Sequence, residues 1–195
     1  MIARAGAPSS AGTLKGVSST ASPRDRLIEL VNELAVVRGE VTLSSGRTAD
    51  YYVDMRRATL HHEAAPLIGH LLLDRLEEAG MGVAEVDAVG GLTMGADPVV
   101  SAVQHAAASR GLDLDAFLVR KESKSHGMRR QVEGPDIDGR RVVILEDTST
   151  TGNSPLRAAE VARAHGAQVV GVATIVDRDT GARQAVEAAG WPYVW

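Results

Sequence analysis

The sequence predicts an α/β fold in which helices flank a central, mostly parallel sheet. Two apolar runs rich in β-branched residues, at residues 142–145 and 169–176, are typical of buried strands. Amphipathic segments of about 10–15 residues alternate with such runs along the chain, as expected for βαβ units. A length of 195 residues is enough for one domain of this kind with a complete hydrophobic core.

The composition argues against several classes of protein. The chain has 21 Lys and Arg residues against 25 Asp and Glu, a net charge of −4, and only six aromatic side chains (two Trp, three Tyr and one Phe). Such a chain lacks the basic and aromatic surface of a nucleic-acid binder. Without cysteine it forms no disulfide, thiolate nucleophile or Cys-based metal site. No apolar run reaches the roughly 18 residues of a membrane span. From the charge, the lack of cysteine and the short apolar runs together, we expect a cytoplasmic protein that contacts neither nucleic acid nor membrane.

The N-terminal segment is expected to be a tail that precedes a single domain. Residues 1–22 are mostly small and bury too little surface to offset their ordering entropy, so we expect disorder there and a domain at residues 23–195. Ser22 and Pro23 match an N-cap followed by proline at the first helical position. Apolar residues at helical spacing continue the first helix to Gly39, where we expect it to end.

The remaining elements follow from hydrophobic periodicity and from the positions of glycine and proline. Asp97 and Pro98 repeat the N-cap and proline signature of the first helix, so we expect a helix to begin there. The predicted elements are strands at residues 41–43, 51–55, 87–89, 116–119, 142–145 and 169–176, and helices at residues 63–79, 97–109, 153–165 and 182–189.

The clearest functional signal lies at the end of the strand at residues 142–145. Glu146 and Asp147 follow this strand, and four hydroxyl residues and Gly152 come next, before a helix. Ligands of open α/β sheets bind outside the carboxyl ends of strands, and a helix N-terminus binds anions. The acids can accept hydrogen bonds from sugar hydroxyls, and the neighbouring hydroxyl and N–H groups can donate to a phosphate. Together they fit a ribose 5-phosphate. The plainer alternative is that the hydroxyls cap the helix and the acids are solvated.

A second signal is a basic segment after the strand at residues 116–119. Residues 120–130 contain five cations and one anion, a local charge of +4 with His126 neutral, in a chain of net charge −4. Most charge runs are solvated loops. A cationic loop could instead close over a diphosphate and screen its charge.

These motifs resemble those of a known family. Residues 142–154 resemble the 5-phosphoribosyl 1-diphosphate (PRPP) binding motif of type I phosphoribosyltransferases, a strand followed by two acids and a Thr-Thr-Gly loop. The spacing Arg-Lys-x-x-Lys-x-His-Gly at residues 120–127 resembles the catalytic loop of orotate phosphoribosyltransferases. Residues 43–54 are similar to that family's substrate-side segment, and Asp177-Arg178 matches the position of an orotate-binding arginine. The resemblance covers residues 25–195 and implies a Rossmann-like type I phosphoribosyltransferase fold with a small hood segment.

The resemblance also implies a reaction and residue roles. The reaction is orotate plus PRPP giving orotidine 5′-phosphate and pyrophosphate, with Mg²⁺ held mainly by PRPP and water rather than by the protein. The catalytic residues would be Lys124, His126 and Asp147, and Thr150 and Arg178 would contact orotate. The family forms homodimers in which the loop at residues 120–130 reaches the neighbouring subunit's site. The PRPP-binding residues would be Arg120, Lys121, Lys124, His126, Glu146, Asp147, Thr148, Ser149, Thr150, Thr151, Gly152, Asn153 and Ser154.

Two departures from the family pattern keep alternatives open. Ser44 and Met94 stand where many relatives have lysines near the substrate. A phosphoribosyltransferase for another base is therefore one alternative. A PRPP-sensing regulator on the same fold is another, although the presence of Lys124 and His126 and the absence of a basic binding surface argue against it.

Overall fold

A six-stranded sheet in the order β5-β4-β3-β6-β7-β8 forms the centre of the computed structural model, which describes residues 22–42, 48–122 and 131–195. All neighbouring strands are parallel except β4 and β5. The elements in chain order are α1 (Pro23–Leu34), β1 (Val36–Thr42), β2 (Thr48–Val53), α2 (Arg56–Thr59), α3 (Ala64–Glu78), β3 (Ala88–Leu92), α4 (Ala96–Ser109), β4 (Asp115–Val119), β5 (Val132–Glu133), β6 (Arg141–Ser149), α5 (Asn153–Ala164), β7 (Gln168–Asp177), α6 (Ala182–Ala188) and β8 (Tyr193–Val194).

Both faces of the sheet are covered, as its apolar central strands require. Val143 and Leu145 of β6 pack with α3 and α4 on one face. Val142 and Ile144 pack with α5 and α6 on the other. The prediction of an α/β fold with a mostly parallel sheet flanked by helices is confirmed.

The first helix is shorter than predicted. It begins with Ser22 as the N-cap, as expected, but it ends at Leu34 rather than near Gly39. The chain then enters β1, and Val36 pairs with Val53 of β2, so strand pairing overrides the helical periodicity of the sequence. Gly39 has a φ of +129° where the pairing register shifts, a conformation that glycine adopts readily.

A separate two-stranded antiparallel sheet, β1 with β2, stands beside the main sheet and forms the hood segment. Both of its strands are longer than the predicted strands at residues 41–43 and 51–55. A small core anchors it, with Leu30 from α1, Ala58 from α2 and Ala64 from α3. The segment that joins the two strands, residues 43–47, lies outside the described residues.

The prediction that Asp97 caps a helix was wrong. Gly95 is the N-cap of α4, and Ala96 is fully buried as its first residue. Asp97 and Pro98 therefore lie inside the first turn, where proline is tolerated because the N–H groups have no helical acceptors.

Three short elements were not predicted at all. The helix α2 has four residues, and β5 and β8 have two residues each at the two edges of the main sheet. Elements of this length carry too few residues for a detectable period. None of the helices in the described part of the chain has the length and apolar character that crossing a membrane requires.

Candidate functional site

The strand β6 carries the acidic pair to the carboxyl edge of the sheet. It continues beyond the predicted residues 142–145 to Ser149, which pairs with Asp177 of β7. Successive side chains of a strand point to opposite faces. Asp147 shares the α4 face with Leu145 and approaches Gly95, whereas Glu146 shares the α5 face with Ile144.

The two carboxylates are buried side by side. Glu146 is 5% exposed and Asp147 is 8% exposed. Burial, followed by the neighbouring Asp147, raises the pKa of Glu146 to about 8. Oε1 of Glu146 accepts a bond from the Asp147 N–H at 3.3 Å, but Oε2 has no hydrogen-bond partner among the described residues. The site therefore holds a buried acceptor that is free for a ligand.

The loop after β6 leads into a helix whose N-terminus has no side-chain cap. Gly152, the N-cap of α5, has a φ of +79°, and a Cβ there would lie 3.2 Å from the Ala182 carbonyl oxygen. The Thr180 hydroxyl donates to the Thr150 carbonyl at 2.8 Å and fixes the loop from outside. The first N–H groups of α5, at Asn153 and Ser154, therefore carry no side-chain acceptor.

A cavity of about 900 Å³ opens where the hood meets the carboxyl edge of the sheet. Its lining combines the hood and the segment after it, the turn after β3, the start of α4, the chain after β4, and the end of β6. The lining residues are Tyr52, Val53, Asp54, Met55, Arg56, Thr93, Met94, Gly95, Asp97, Leu118, Arg120, Lys121, Glu122, Glu133, Asp147 and Thr148. This volume matches that of small-molecule sites.

Two ion pairs account for four of the eight charged residues in the described cavity lining. Arg56 contacts Asp54 through Nε at 2.8 Å and Nη2 at 3.2 Å. Arg120 contacts Glu133 at 3.3 Å. Asp97 differs, because its Oδ1 is buried without a partner in the described part of the chain, and burial raises the pKa of this carboxyl group.

The start of the basic segment is fixed to the body of the protein. The Arg120 N–H donates to the Gln131 carbonyl at 2.9 Å, and the Gln131 side chain donates to the Arg120 carbonyl at 3.0 Å. Arg157 of α5 donates to the carbonyl of Lys121. The predicted catalytic residues Lys124 and His126 lie outside the described residues.

The predicted site residues fall into three groups. Arg120, Lys121, Asp147 and Thr148 line the cavity together. Glu146 and Ser149 are buried beside this group, with the Thr148 and Ser149 hydroxyls both lacking partners among the described residues. The rest, Thr150, Thr151, Gly152, Asn153, Ser154 and Arg178, do not line the cavity and form the adjoining loop, the start of α5 and the end of β7.

Arg178 lies directly after β7 and turns toward the hood. Its N–H donates to the Ser149 carbonyl at 3.0 Å, which fixes it beside the loop after β6. Its guanidinium carbon lies 5.0 Å from the centre of the Tyr51 ring. The site therefore has a charged group, the Arg178 guanidinium, next to a flat aromatic surface, the half-exposed ring of Tyr51.

Sequence reasoning assigned no individual site role to five charged residues of the cavity lining, Asp54, Arg56, Asp97, Glu122 and Glu133. Arg56 was assigned no role, and Asp97 was interpreted only as a helix cap, yet both line the cavity. The available signal for Arg56 and Asp97 was their position in the sequence. Arg56 lies two residues after the family-like segment at residues 43–54, and Asp97 lies three residues after Met94.

Comparisons with known proteins agree with this geometry. A family model described as "Phosphoribosyl transferase domain" matches residues 59–188. An orotate phosphoribosyltransferase of Streptomyces avermitilis is 61% identical over 171 residues, covering 87% of this chain and 91% of that protein. A crystal structure of the Mycobacterium tuberculosis orotate phosphoribosyltransferase with Fe(III) dicitrate superposes with a TM-score of 0.78 at 54% identity, covering 89% and 94% of the two chains.

A second crystal structure of the Mycobacterium tuberculosis enzyme contains PRPP. It superposes with a TM-score of 0.74 at 50% identity over 89% of this chain and 94% of that one. The identity and coverage of these relatives agree with the matched family model. The chain therefore belongs to the phosphoribosyltransferases and, within them, to the orotate phosphoribosyltransferase family.

Proposed function

We propose that this chain transfers the ribose 5-phosphate group of PRPP to orotate, giving orotidine 5′-phosphate and pyrophosphate in pyrimidine biosynthesis. The observation that carries the proposal is the end of β6. There a buried acidic pair is followed by the uncapped N-terminus of α5, beside a cavity of about 900 Å³.

The two halves of this site match the two halves of a ribose 5-phosphate. Ribose hydroxyls need acceptors, and the carboxyl oxygens of Glu146 and Asp147 supply them. The phosphate needs donors, and the N–H groups at the start of α5 with the hydroxyls of residues 148–154 supply these. We therefore assign the acids to the ribose and residues 148–154 to the 5′-phosphate.

Transfer needs no protein nucleophile. The bond from the anomeric carbon to the diphosphate oxygen breaks as the bond to an orotate ring nitrogen forms, and that nitrogen loses its proton. Catalysis then consists of positioning the reactants and stabilising the departing pyrophosphate. We assign the latter to Lys124 and His126 with Arg120 and Lys121 nearby, and the imidazole of His126 would donate a proton to the pyrophosphate.

The charge of the cavity favours a substrate that carries a divalent cation. Among the described lining residues, five carboxylates (Asp54, Asp97, Glu122, Glu133 and Asp147) face three cations (Arg56, Arg120 and Lys121). A bare diphosphate would meet this excess of negative charge. Mg²⁺ bound to PRPP oxygens and water would neutralise the leaving group, as this hard cation does at other phosphate sites.

Orotate is assigned to the side of the site that faces the hood. Arg178 presents a planar cation suited to a carboxylate. The nearby ring of Tyr51 gives a flat apolar surface for a planar base. Thr150, whose carbonyl accepts a hydrogen bond from Thr180 of the loop after β7, is the second proposed contact.

We further propose that the enzyme works in the cytoplasm as a homodimer that shares the loop at residues 120–130. Mixing two impaired variants, Lys124→Ala and Asp147→Asn, tests this arrangement after denaturation and refolding together, with PRPP held well below its KM. If the loop crosses between subunits, each mixed dimer regains one intact site, so about a quarter of wild-type activity is expected. A mixture no more active than its two components contradicts a shared loop.

Loss of orotate absorbance, followed with the purified protein, PRPP and Mg²⁺, tests the function itself. We expect orotate consumption that needs both PRPP and the metal, and no consumption after chelation with EDTA. Uracil, hypoxanthine and nicotinate serve as parallel bases. Turnover of one of these instead of orotate would transfer the proposal to another base, and PRPP binding without any turnover would favour a regulator.

A further inference from the structure

We propose that Arg56 is a binding residue for the diphosphate of PRPP, an inference that rests on the function proposed above. The turn after β3 lines the cavity at Thr93, Met94 and Gly95, and residues 90–95 contain no cationic side chain. A diphosphate beside this turn must obtain its positive charge from another part of the lining. The Arg56 side chain borders the same cavity from the hood side.

The position of the Arg56 guanidinium is fixed by its neighbour. Asp54 accepts two parallel bonds from it, and the Asp54 N–H in turn donates to the carbonyl of fully buried Ala35 at 2.9 Å. The fork geometry uses Nε and one hydrogen of Nη2. Nη1 and the second hydrogen of Nη2 have no partner among the described residues and remain available to a ligand.

Arg56 also shares the cavity lining with Asp147. The hydrogen-bonded carboxylate of Asp54 raises the pKa of Arg56, and the charge of Asp147 adds a smaller effect in the same direction. Arg56 is therefore within electrostatic range of a residue assigned to the ribose of PRPP. A diphosphate attached to that ribose would also lie within electrostatic range of Arg56.

Arg56 would add a cation from the hood side to Arg120 and Lys121, which are assigned to the pyrophosphate above. Arg120 is paired with Glu133, and the backbone of Lys121 is held by Arg157. The alternative role for Arg56 is a structural one, a partly exposed ion pair that fixes the start of α2. Such a pair contributes little to stability. If the role of Arg56 is only structural, its replacement should leave pyrophosphate binding almost unchanged.

The test compares Arg56→Gln with Arg57→Gln. Arg57 is the adjacent exposed arginine of α2 and does not line the cavity. In the reverse reaction, we expect Arg56→Gln to raise the KM for pyrophosphate about tenfold or more, since it loses charge-assisted bonds. The KM for orotidine 5′-phosphate should stay within about twofold of wild type, and Arg57→Gln should match wild type in both.

Calorimetry with pyrophosphate and Mg²⁺ supplies a readout that needs no turnover. Weaker binding by Arg56→Gln, with unchanged binding of ribose 5-phosphate, supports the proposal even if orotate proves not to be the base. If Arg56→Gln unfolds, Arg56→Lys keeps the charge and allows the same comparison. Pyrophosphate binding and KM that equal those of Arg57→Gln would overturn the proposal.

Discussion

The α-carbon of Gly95 faces the carboxylate of Asp147 so closely that a Cβ built on Gly95 would lie 3.0 Å from Oδ1 of Asp147. Gly95 has an ordinary helical φ of −60°. A side chain at this position is therefore disfavoured by the neighbouring acid and not by backbone conformation.

Gly95→Ala should raise the KM for PRPP several-fold with only a small change in the melting temperature. The added methyl group displaces the Asp147 carboxylate by a few tenths of an ångström, and misplaced groups lose binding steeply. Steady-state kinetics with PRPP varied measures the effect. Gly82→Ala is the matched control, because its Cβ would lie 3.2 Å from Glu77, away from the cavity lining. Equal KM values for both variants would contradict the proposed role of Asp147.

Asp147→Asn should weaken PRPP binding by about tenfold or more, because a charged acceptor for a ribose hydroxyl becomes a neutral amide. The substitution preserves size, so the buried environment at 8% exposure is retained. Calorimetric titration with PRPP and Mg²⁺ measures the affinity. Asp115→Asn, at the opposite end of the sheet and paired with Arg140, is the control. An unchanged affinity of Asp147→Asn would mean that the acid is structural.

Replacing Glu146 by glutamine should stabilise the protein increasingly as the pH rises. Burial raises the pKa of Glu146 from 4.5 to about 8. Between these values the folded state keeps a proton that the unfolded state has lost, so wild-type stability falls with rising pH. Below pH 4.5 both states are protonated and the effect vanishes.

Urea unfolding at pH 5 and pH 8 measures this difference. We expect the free energy of unfolding of Glu146→Gln to exceed that of wild type by more than about 1 kcal/mol at pH 8, and by less at pH 5. Glu160→Gln, an exposed glutamate on α5, should give no such trend. A constant difference between the two pH values would contradict a buried, protonated Glu146.

The sequence predicted those parts of the fold and site that local patterns determine. The run at residues 142–145 is apolar on both faces, so it identifies a central strand, and the acids after it necessarily fall at the sheet's carboxyl edge. The end of the first helix could not be predicted, because the pairing of Val36 with Val53 competes with helical periodicity only in the folded chain.

The set of residues that line the cavity could not be predicted from local sequence patterns either. Arg56 and Asp97 are 41 residues apart in sequence, yet they border one cavity because the hood stands beside the carboxyl edge of the sheet. Nothing in the pattern around Asp97 distinguishes a helix cap from a residue two positions further into the first turn. That distinction depends on the burial of Ala96.

Lys124→Ala should lower kcat about 100-fold or more while leaving the melting temperature unchanged. A cation that stabilises the departing pyrophosphate acts mainly in the transition state, so its loss affects turnover more than substrate binding. Steady-state rates with saturating orotate and PRPP measure it. Lys124→Arg, which keeps the charge, should retain more activity than Lys124→Ala. A near-wild-type rate for Lys124→Ala would contradict the catalytic role of this loop.

Arg178→Gln should raise the KM for orotate about tenfold or more and leave the KM for PRPP within about twofold. The guanidinium would pair with the orotate carboxylate, and a neutral amide loses that charge-assisted bond. Arg183→Gln is a close control, because Arg183 lies 5.1 Å from the Trp195 ring much as Arg178 lies 5.0 Å from Tyr51. Any effect caused by losing a cation–aromatic contact would appear in both variants. Because Arg178 also fixes the loop after β6 through a backbone bond that glutamine keeps, PRPP binding should survive. A comparable rise in both KM values would instead mean that the Arg178 side chain stabilises that loop. It would contradict the assignment of Arg178 to the orotate carboxylate.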